Sequence, residues 1–369
     1  MALPTGESPI SFSQIRTEFG DGTNTATSPV RLGQYRSTDA SFTNEDVGGL
    51  EDLPLDTGIP TSGTINVDSF HGKKLNVIVD YYSGSTENRP SDARTKYQAA
   101  SASGNRVIVG GYKDRVINDS SGSKVIVHVN KSIGSATGSV NNCAVRTGTG
   151  WEAGTDLSIE VGGSGKILGA GGNGGAGSTN EGQGSAGGDG SSALGISYSG
   201  TVVNLMSGGL IQQGYGGGGG GGGASGREED GGKPFYRHRG SGGGGGAGLP
   251  AGEGGTRTTG DVHNANVGED ATLTVGGEGG AAPSNYSHGK EGGFAGGGKG
   301  GDGGDAEQSP ENGNPGEAGG GEWQDGPSTG GASNAGGNGA AIRRASGITV
   351  TIGTNNGTIT GSQTATGVS

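Results

Sequence analysis

The residue types best suited to recognition chemistry are concentrated in one stretch, Arg227-Glu228-Glu229-Asp230-Gly231-Gly232-Lys233-Pro234-Phe235-Tyr236-Arg237-His238-Arg239. Guanidinium forks bind carboxylates or phosphates through paired hydrogen bonds, and aromatic faces bury apolar area with a polar tip left free. Arg227, Lys233, Phe235, Tyr236, Arg237, His238 and Arg239 are therefore candidates for contact with a sugar, a phosphate or a protein surface. Tyr286, His288 and Trp323 sit in similar mixtures further along. The competing reading of each segment is a hydrophilic turn.

Chemistry of other kinds finds little support. Gly293 to Lys299 has the spacing of a phosphate-binding loop, but Gly300 stands where a Ser or Thr is needed for the metal. Gly300-Gly301-Asp302-Gly303-Gly304-Asp305 resembles one calcium-binding β-roll nonapeptide, yet Glu307 occupies its apolar position and no tandem copy follows. His71, His128, His238, His263 and His288 show no paired ligand spacing, and Cys143 is the sole cysteine. The strand pattern puts His128 on a polar face, where exposure to solvent is expected. No Ser, His and Asp set stands out, so no catalytic residue, cofactor or metal is assigned and the chain is read as a non-enzyme.

The elements that must position the candidates are made of glycine. Most of the 91 glycines lie between Val161 and Ala345, in tracts such as Gly216 to Gly223 and Gly242 to Gly246. Gly297-Gly298-Lys299, Gly300-Gly301-Asp302 and Gly303-Gly304-Asp305 are consecutive GGX triplets. Three is the repeat of the extended left-handed polyproline II helix, which has no internal hydrogen bonds. GGX then places every side chain on one edge and leaves two bare edges, along which neighbouring helices can pair N–H with C=O. The spacing predicts a packed array of polyglycine II helices. Collagen is excluded by the GG doublets and by only 12 prolines in 369 residues. A flexible Gly-rich linker is the competing reading.

Polar segments separate the tracts: 179–183, 227–239, 257–270, 283–291, 306–317 and 322–329. Their lengths suit turns, and antiparallel helices would gather alternate turns at one end of the array.

Only 27% of the residues are hydrophobic and the formal charge is −12. A large conventional core cannot extend through the glycine half, and binding to nucleic acid or an anionic membrane through a basic patch is disfavoured. No stretch approaches the roughly 18 apolar residues of a membrane span, and the N-terminus lacks the pattern of a secretory signal. Synthesis in a host cytoplasm and release by lysis, as for a virion component, are expected.

The remainder reads as mainly β. Over 73–160, Leu75, Val77, Val79 and Tyr81 alternate, then Val107 and Val109, then Val125, Val127 and Val129, which suggests a small antiparallel β domain. Leu157, Ile159 and Val161 are followed by Gly165, Ile167 and Gly169. The same unit recurs as Thr201, Val203, Leu205 with Gly209, Ile211, Gly214, and as Ile348, Val350, Ile352 with Gly357, Ile359, Gly361. Each reads as a strand, a glycine turn and a short return strand. The expected organisation is an N-terminal module over 1–72, a β neck over 73–160, the glycine array over 161–345 capped by short strands, and a C-terminal strand unit over 346–369.

Within 1–72 one pattern occurs three times: Ile10-Ser11-Phe12-Ser13-Gln14-Ile15, Val30-Arg31-Leu32-Gly33-Gln34-Tyr35 and Ile65-Asn66-Val67-Asp68-Ser69-Phe70. The stretches "PISFSQIRTEFG", "SPVRLGQYR" and "IPTSGTINVDSFHGK" resemble the N-terminal modules of bacteriophage tail-fibre and virion structural proteins. "TGTGWEAGTDLSIEVGGSGKILGAGGNGGAG" is similar to the junction leading into the repeats of glycine-rich phage adhesins. The resemblance implies attachment to other virion tail proteins through 1–72, with Ile10, Phe12, Ile15, Leu32, Tyr35 and Phe70 as contact candidates. It also implies a host surface glycan or outer-membrane protein as receptor, and a homotrimer, although adhesins with polyglycine II domains can sit singly on a fibre tip. A purely structural fibre or collar is the alternative, and a polysaccharide-cleaving tailspike a weaker one.

Overall fold

In a computed structural model the chain is described over residues 3–4, 6, 8–19, 32, 59–60, 62–73, 76–81, 91–92, 106–109, 112–113, 124–151, 154–178, 182–226, 236–257, 265–282, 286–288, 293–295, 297–314, 328–331 and 333–368. Among these, strands dominate, and α1 (Phe12–Phe19) is the α-helix.

The strands come in rungs. A prelude of β1 (Asn76–Tyr81), β2 (Ser91–Asp92), β3 (Arg106–Val109) and β4 (Tyr112–Lys113) leads to a first rung of β5 (Lys124–Val129), β6 (Ser132–Gly134) and β7 (Cys143–Arg146). The second rung is β8 (Asp156–Val161), β9 (Lys166–Leu168) and β10 (Ser192–Ile196). The third opens with β11 (Thr201–Leu205) and β12 (Leu210–Gln212). It then makes a long excursion containing β13 (Ala224–Gly226), β14 (Tyr236–His238), β15 (Tyr286–His288), β16 (Gly293–Ala295) and β17 (Ser328–Thr329), and closes with β18 (Ile342–Arg344). The fourth is β19 (Val350–Asn355), β20 (Thr358–Thr360) and β21 (Ala365–Thr366).

Equivalent strands of successive rungs pair in parallel. β5, β8, β11 and β19 stack in one sheet, β6, β9, β12 and β20 in a second, and β7, β10, β18 and β21 in a third. The result is a three-sided parallel stack. Register puts like side chains over one another: Val127, Ile159, Val203 and Ile352 form one ladder, Ile133, Ile167, Ile211 and Ile359 a second, and Val145, Leu194 and Ile342 a third. The members in the first three rungs are all buried. Burying each such side chain contributes about 1.5–3 kcal/mol.

Two expectations are corrected here. Among the described residues of 73–160, antiparallel pairing is limited to β1 with β3 and β3 with β4; β1 pairs with β5, and β5 with β8, in parallel. The short strand after each glycine turn does not return along its predecessor but crosses to the second sheet. The turn glycine shows why. A Cβ on Gly209 would lie 2.9 Å from the carbonyl oxygen of Val161 in the rung below, and one on Gly165 would strike that of Val129. Glycine there lets the backbone turn a corner flat against its neighbour.

Near the N-terminus, Ser11 and Gln14 cap α1 reciprocally: the Gln14 N–H donates to Ser11 Oγ (3.2 Å) and the Ser11 N–H to Gln14 Oε1 (2.7 Å). Asn66 and Ser69 do the same for the 3-10 turn Val67–Phe70, at 3.0 and 3.3 Å. In these two copies of the repeated pattern the polar position, Gln14 or Ser69, is thus the reciprocal cap. The apolar residue after it, Ile15 or Phe70, is fully buried in the core that runs into the rungs.

The glycine tracts grow out of the second and third rungs. The β9–β12 ladder runs on past the strands, with Gly169, Gly172 and Gly175 N–H donating to Gln212, Tyr215 and Gly218 carbonyls at 2.8–2.9 Å. Ten tracts follow in chain order: 172–178, 182–188, 215–223, 241–247, 252–255, 266–272, 277–280, 298–304, 311–314 and 330–336.

Two of these are central. Successive N–H groups of 215–223 point in three directions: Gly217 to Gly188 (2.9 Å), Gly218 to Gly244 (2.8 Å) and Gly219 to Glu311 (3.0 Å). Its carbonyls accept from three further tracts, through Gly175, Gly301 and Gly336. Tract 241–247 is likewise surrounded, donating to 172–178, 266–272 and 298–304 and accepting from 215–223, 252–255 and 277–280. The other eight tracts bond to one another in a closed ring around this pair. A methyl group on Gly216, Gly217 or Gly218 would strike the carbonyl of Gly336, Asn173 or Gly301 respectively. Three consecutive positions facing three different backbones leave no direction in which a side chain fits.

Each backbone bond contributes about 0.5–1.5 kcal/mol net, against about 1–2 kcal/mol to fix a residue. A lone tract is therefore unstable and the array forms only as a whole.

Candidate functional site

Tract direction decides where the inserts go. The N–H groups of Tyr215, Gly218 and Gly221 meet the carbonyls of Ala247, Gly244 and Ser241, so 215–223 and 241–247 are antiparallel. The same reading applied to every pair makes 172–178, 215–223, 252–255, 277–280 and 311–314 run one way, and 182–188, 241–247, 266–272, 298–304 and 330–336 the other. In chain order the directions alternate strictly. All connections therefore fall at one of two ends.

The near end faces the rungs: tracts 182–188 and 215–223 are joined there through β10, β11 and β12, and its other connections are short turns. Ser135, just after β6, donates its N–H to the Leu249 carbonyl (3.0 Å), and Gln212 Nε2 donates to Leu273 O (3.3 Å). Leu249-Pro250 is a cis peptide. The far end receives the connections after residues 178, 223, 255, 280 and 314, which include every segment carrying a binding candidate.

The backbone at the far end is tied together by strand pairing. β13 pairs antiparallel with β14, placing Tyr236, Arg237 and His238 opposite Gly226, Ser225 and Ala224. β17 pairs with the other edge of β13, Ser328 opposite Ser225. The chain segments 227–235 and 315–327 thus leave the array from adjacent strands of one small sheet. β15 and β16 form a separate hairpin that holds Tyr286 and His288 opposite Ala295 and Gly293. Arg239 is half-buried at the base of β14. Arg227, Lys233, Phe235 and Trp323 lie outside the described residues.

At the N-terminal module, Phe12 is 53% exposed, while Ile15 and Phe70 are fully buried and Ile10 and Leu32 are half-buried against the core. Ile15 and Phe70 hold the module together, and Phe12 presents a surface. Tyr35 lies outside the described residues.

Several polar residues serve the array and carry no candidate role in the sequence reading. Where a tract lacks a neighbouring backbone, a rim side chain accepts the N–H instead: Asp270 Oδ1 from Gly254 (2.7 Å), Asp302 Oδ1 from Gly279 (2.7 Å), Asp189 Oδ1 from Gly337 (2.7 Å) and Asn338 Oδ1 from Gly216 (2.9 Å). Asp305 accepts from Gly276 with one oxygen and from Glu307 and Gln308 with the other. For Asp189, Asp302, Asp305 and Asn338 the signal in the sequence is a short polar residue at the third position of a GGX triplet, which Asp270, after Glu269, lacks. The Lys299–Asp302 contact at 3.2 Å is partly exposed and adds little. Tyr215 is almost fully buried, and burial first, then the charge of Asp305, raises its pKa.

His128 corrects the exposure expected for it. It is fully buried, in register between Asp80 and Glu160, beside Asn130 and the close backbone of Gly162. Arg343 is also buried, its Nε donating to Ser192 Oγ (3.0 Å) and its Nη1 to the Thr366 carbonyl (2.5 Å). Cys143 is buried, which pushes its thiol up to about 11 against the pull of Arg343 and Arg146. Among the described residues no cluster of His, Cys, Asp and Glu is placed to hold a metal, and no helix is long and apolar enough to cross a membrane.

A family model described as phage tail fibre adhesin Gp38 matches residues 94–364, more than half of the chain. No curated protein and no solved structure matches it significantly.

Proposed function

Since the chain belongs to the phage tail fibre adhesin family Gp38, we propose that it binds a host-cell surface receptor through the segments between its glycine tracts. On this reading the tracts are polyglycine II helices, and the threefold pattern of lateral backbone bonds supports that assignment. The array is the scaffold, residues 1–72 attach the chain to other tail proteins, and the receptor is a surface glycan or an outer-membrane protein. Binding is reversible and involves no covalent step. Many weak contacts on a multivalent particle raise avidity by about 10²–10⁴.

The observation that carries the proposal is the strict alternation of tract direction. It delivers every candidate-bearing segment to the end remote from the rungs, whereas a shaft would need no such sorting. Replacing 227–235 with an Asn-Gly turn closes the β13–β14 hairpin without disturbing its pairing. The purified wild-type protein should block adsorption of its phage, and the replacement should do so at least tenfold less well with an unchanged melting temperature. Undiminished blocking by the replacement would remove this loop from the site, and a wild type that blocks nothing favours the structural fibre.

A further inference from the structure

Four asparagines are followed directly by glycine: Asn173, Asn312, Asn338 and Asn356. In this dipeptide an asparagine side chain can react with its own backbone, because glycine has no Cβ to hinder the approach. The glycine nitrogen attacks the asparagine Cγ, the new C–N bond closes a succinimide ring, and the side-chain nitrogen leaves as ammonia. Water then opens the ring to aspartate or isoaspartate. The step needs no oxidant and no cofactor, but the attacking N–H must first be released from any hydrogen bond and the side chain must swing onto it.

Three of the four pairs are held on both sides of the reaction by the glycine array. The Gly174 N–H donates to the Glu253 carbonyl (2.8 Å), while Asn173 Oδ1 accepts from the Glu253 N–H (3.0 Å). The Gly313 N–H donates to Ser333 O (2.9 Å) and Asn312 Oδ1 accepts from Ala335 (2.8 Å). The Gly339 N–H donates to Gly214 O (2.9 Å) and Asn338 Oδ1 accepts from Gly216 (2.9 Å). Freeing either reacting group breaks a lateral bond of an array that forms only as a whole.

The fourth pair is the corner between β19 and β20. In the two rungs before it the corner spans 162–165 and 206–209, and a turn bond holds its last N–H: Gly165 to Gly162 O (2.8 Å) and Gly209 to Met206 O (2.9 Å). Between Asn355 and Thr358 only Asn356 and Gly357 remain, too few to close that turn. Among the described residues neither the Gly357 N–H nor the exposed Asn356 side chain has a hydrogen-bond partner.

We propose that Asn356 is the site at which the folded protein deamidates, and that the array silences the same chemistry at Asn173, Asn312 and Asn338. The proposal is independent of the receptor reading. The fold maintains the reactive dipeptide, since a Cβ on Gly357 would strike the Gly209 carbonyl of the rung below. Two changes follow from the reaction. The product carboxylate puts a negative charge into 345–369, where there is no Asp, Glu, Lys, Arg or His. Isoaspartate also adds a methylene to the backbone between two bonds that join the third and fourth rungs, Asn356 N–H to Leu205 O and Thr358 N–H to Gly209 O, both 2.9 Å.

The full chain, aged in mildly alkaline buffer at body temperature, is the sample. Peptide mass spectrometry with fragment sequencing, after digestion at acidic pH, reads the amide-to-acid conversion at each asparagine. In the folded protein Asn356 should convert at least tenfold faster than Asn173, Asn312 or Asn338. In denaturant the four should converge to within a few-fold, because all share the same dipeptide. Asn356→Ala should remove the fast phase of ammonia release and leave conversion at the other three as slow as in wild type. Conversion of Asn356 in the folded protein no faster than that of the array pairs overturns the proposal. So does an array pair that converts as fast folded as in denaturant, or a fast ammonia phase that survives Asn356→Ala.

Discussion

The rung stack and the glycine array close their interiors by opposite means. In the rungs, backbone bonds run between sheet neighbours and the interior is filled by ladders of Val, Leu and Ile. In the array, backbone bonds leave each central tract in three directions, and the middle of each, 216–223 and 242–246, is glycine alone. The rungs tolerate variation in side-chain size because a packed side chain can shift. The array tolerates none at its two central tracts, but its rim and its far-end connections are free to vary in length and composition.

The centre of the array leaves the least room for change. Gly218→Val should abolish the array's fold outright, because the added carbons meet the Gly301 backbone and have nowhere to move. Hydrogen exchange at 215–223 should lose its protection while that at 156–161 persists. If exchange at 215–223 stays slow, the tract is not enclosed as described.

In the rungs, Ile167→Ala leaves a cavity between Ile133 and Ile211 and should cost about 2–5 kcal/mol in denaturant unfolding without abolishing the fold. A cost below about 1 kcal/mol would mean that the ladder is loosely packed.

Cys143 tests the rungs through pH. Its folded pKa of about 11 lies above the ordinary 9.0, so its contribution is present below about pH 9 and is lost as pH rises towards 11. The full loss is about 2–3 kcal/mol. Cys143→Ala should flatten the fall in stability between pH 9 and 11 relative to wild type, by the part that Tyr215 does not account for.

The smallest effect sharpens the contrast within the array itself. Nothing lies within 4 Å of a Cβ on Gly331, at the exposed rim. Gly331→Ala should change stability by less than about 1 kcal/mol, and in the stabilising direction through the unfolded chain. A large loss there would place the boundary between core and rim elsewhere.

Much of this was readable from residue order. GGX triplets implied a threefold repeat with bare edges, the corner glycines Gly165, Gly209 and Gly357 marked the turns, and the polar separators marked the inserts. Other features were not readable, for identifiable reasons. Val125, Val127 and Val129 alternate identically whether the neighbouring strand is parallel or antiparallel, because the period of two reports only which face is buried. His128 alternates with the polar set, yet in the fold it is fully buried beside Asn130 and the Gly162 backbone. Asp189, Asp270 and Asp302 looked like any rim carboxylates until the missing neighbour of each tract was known.

By itself, the sequence determined the local repeat, the places where a side chain is forbidden and the segments available for recognition. These are properties of a residue and its immediate neighbours, set by backbone sterics. Tertiary structure decided which tract lies beside which and the alternation that sends every candidate-bearing connection to one end. Those depend on bonds between residues as distant in the chain as Gly187 and Asn334. A glycine N–H carries no mark of which carbonyl it will meet, so the pairing is selected only when the whole ring closes.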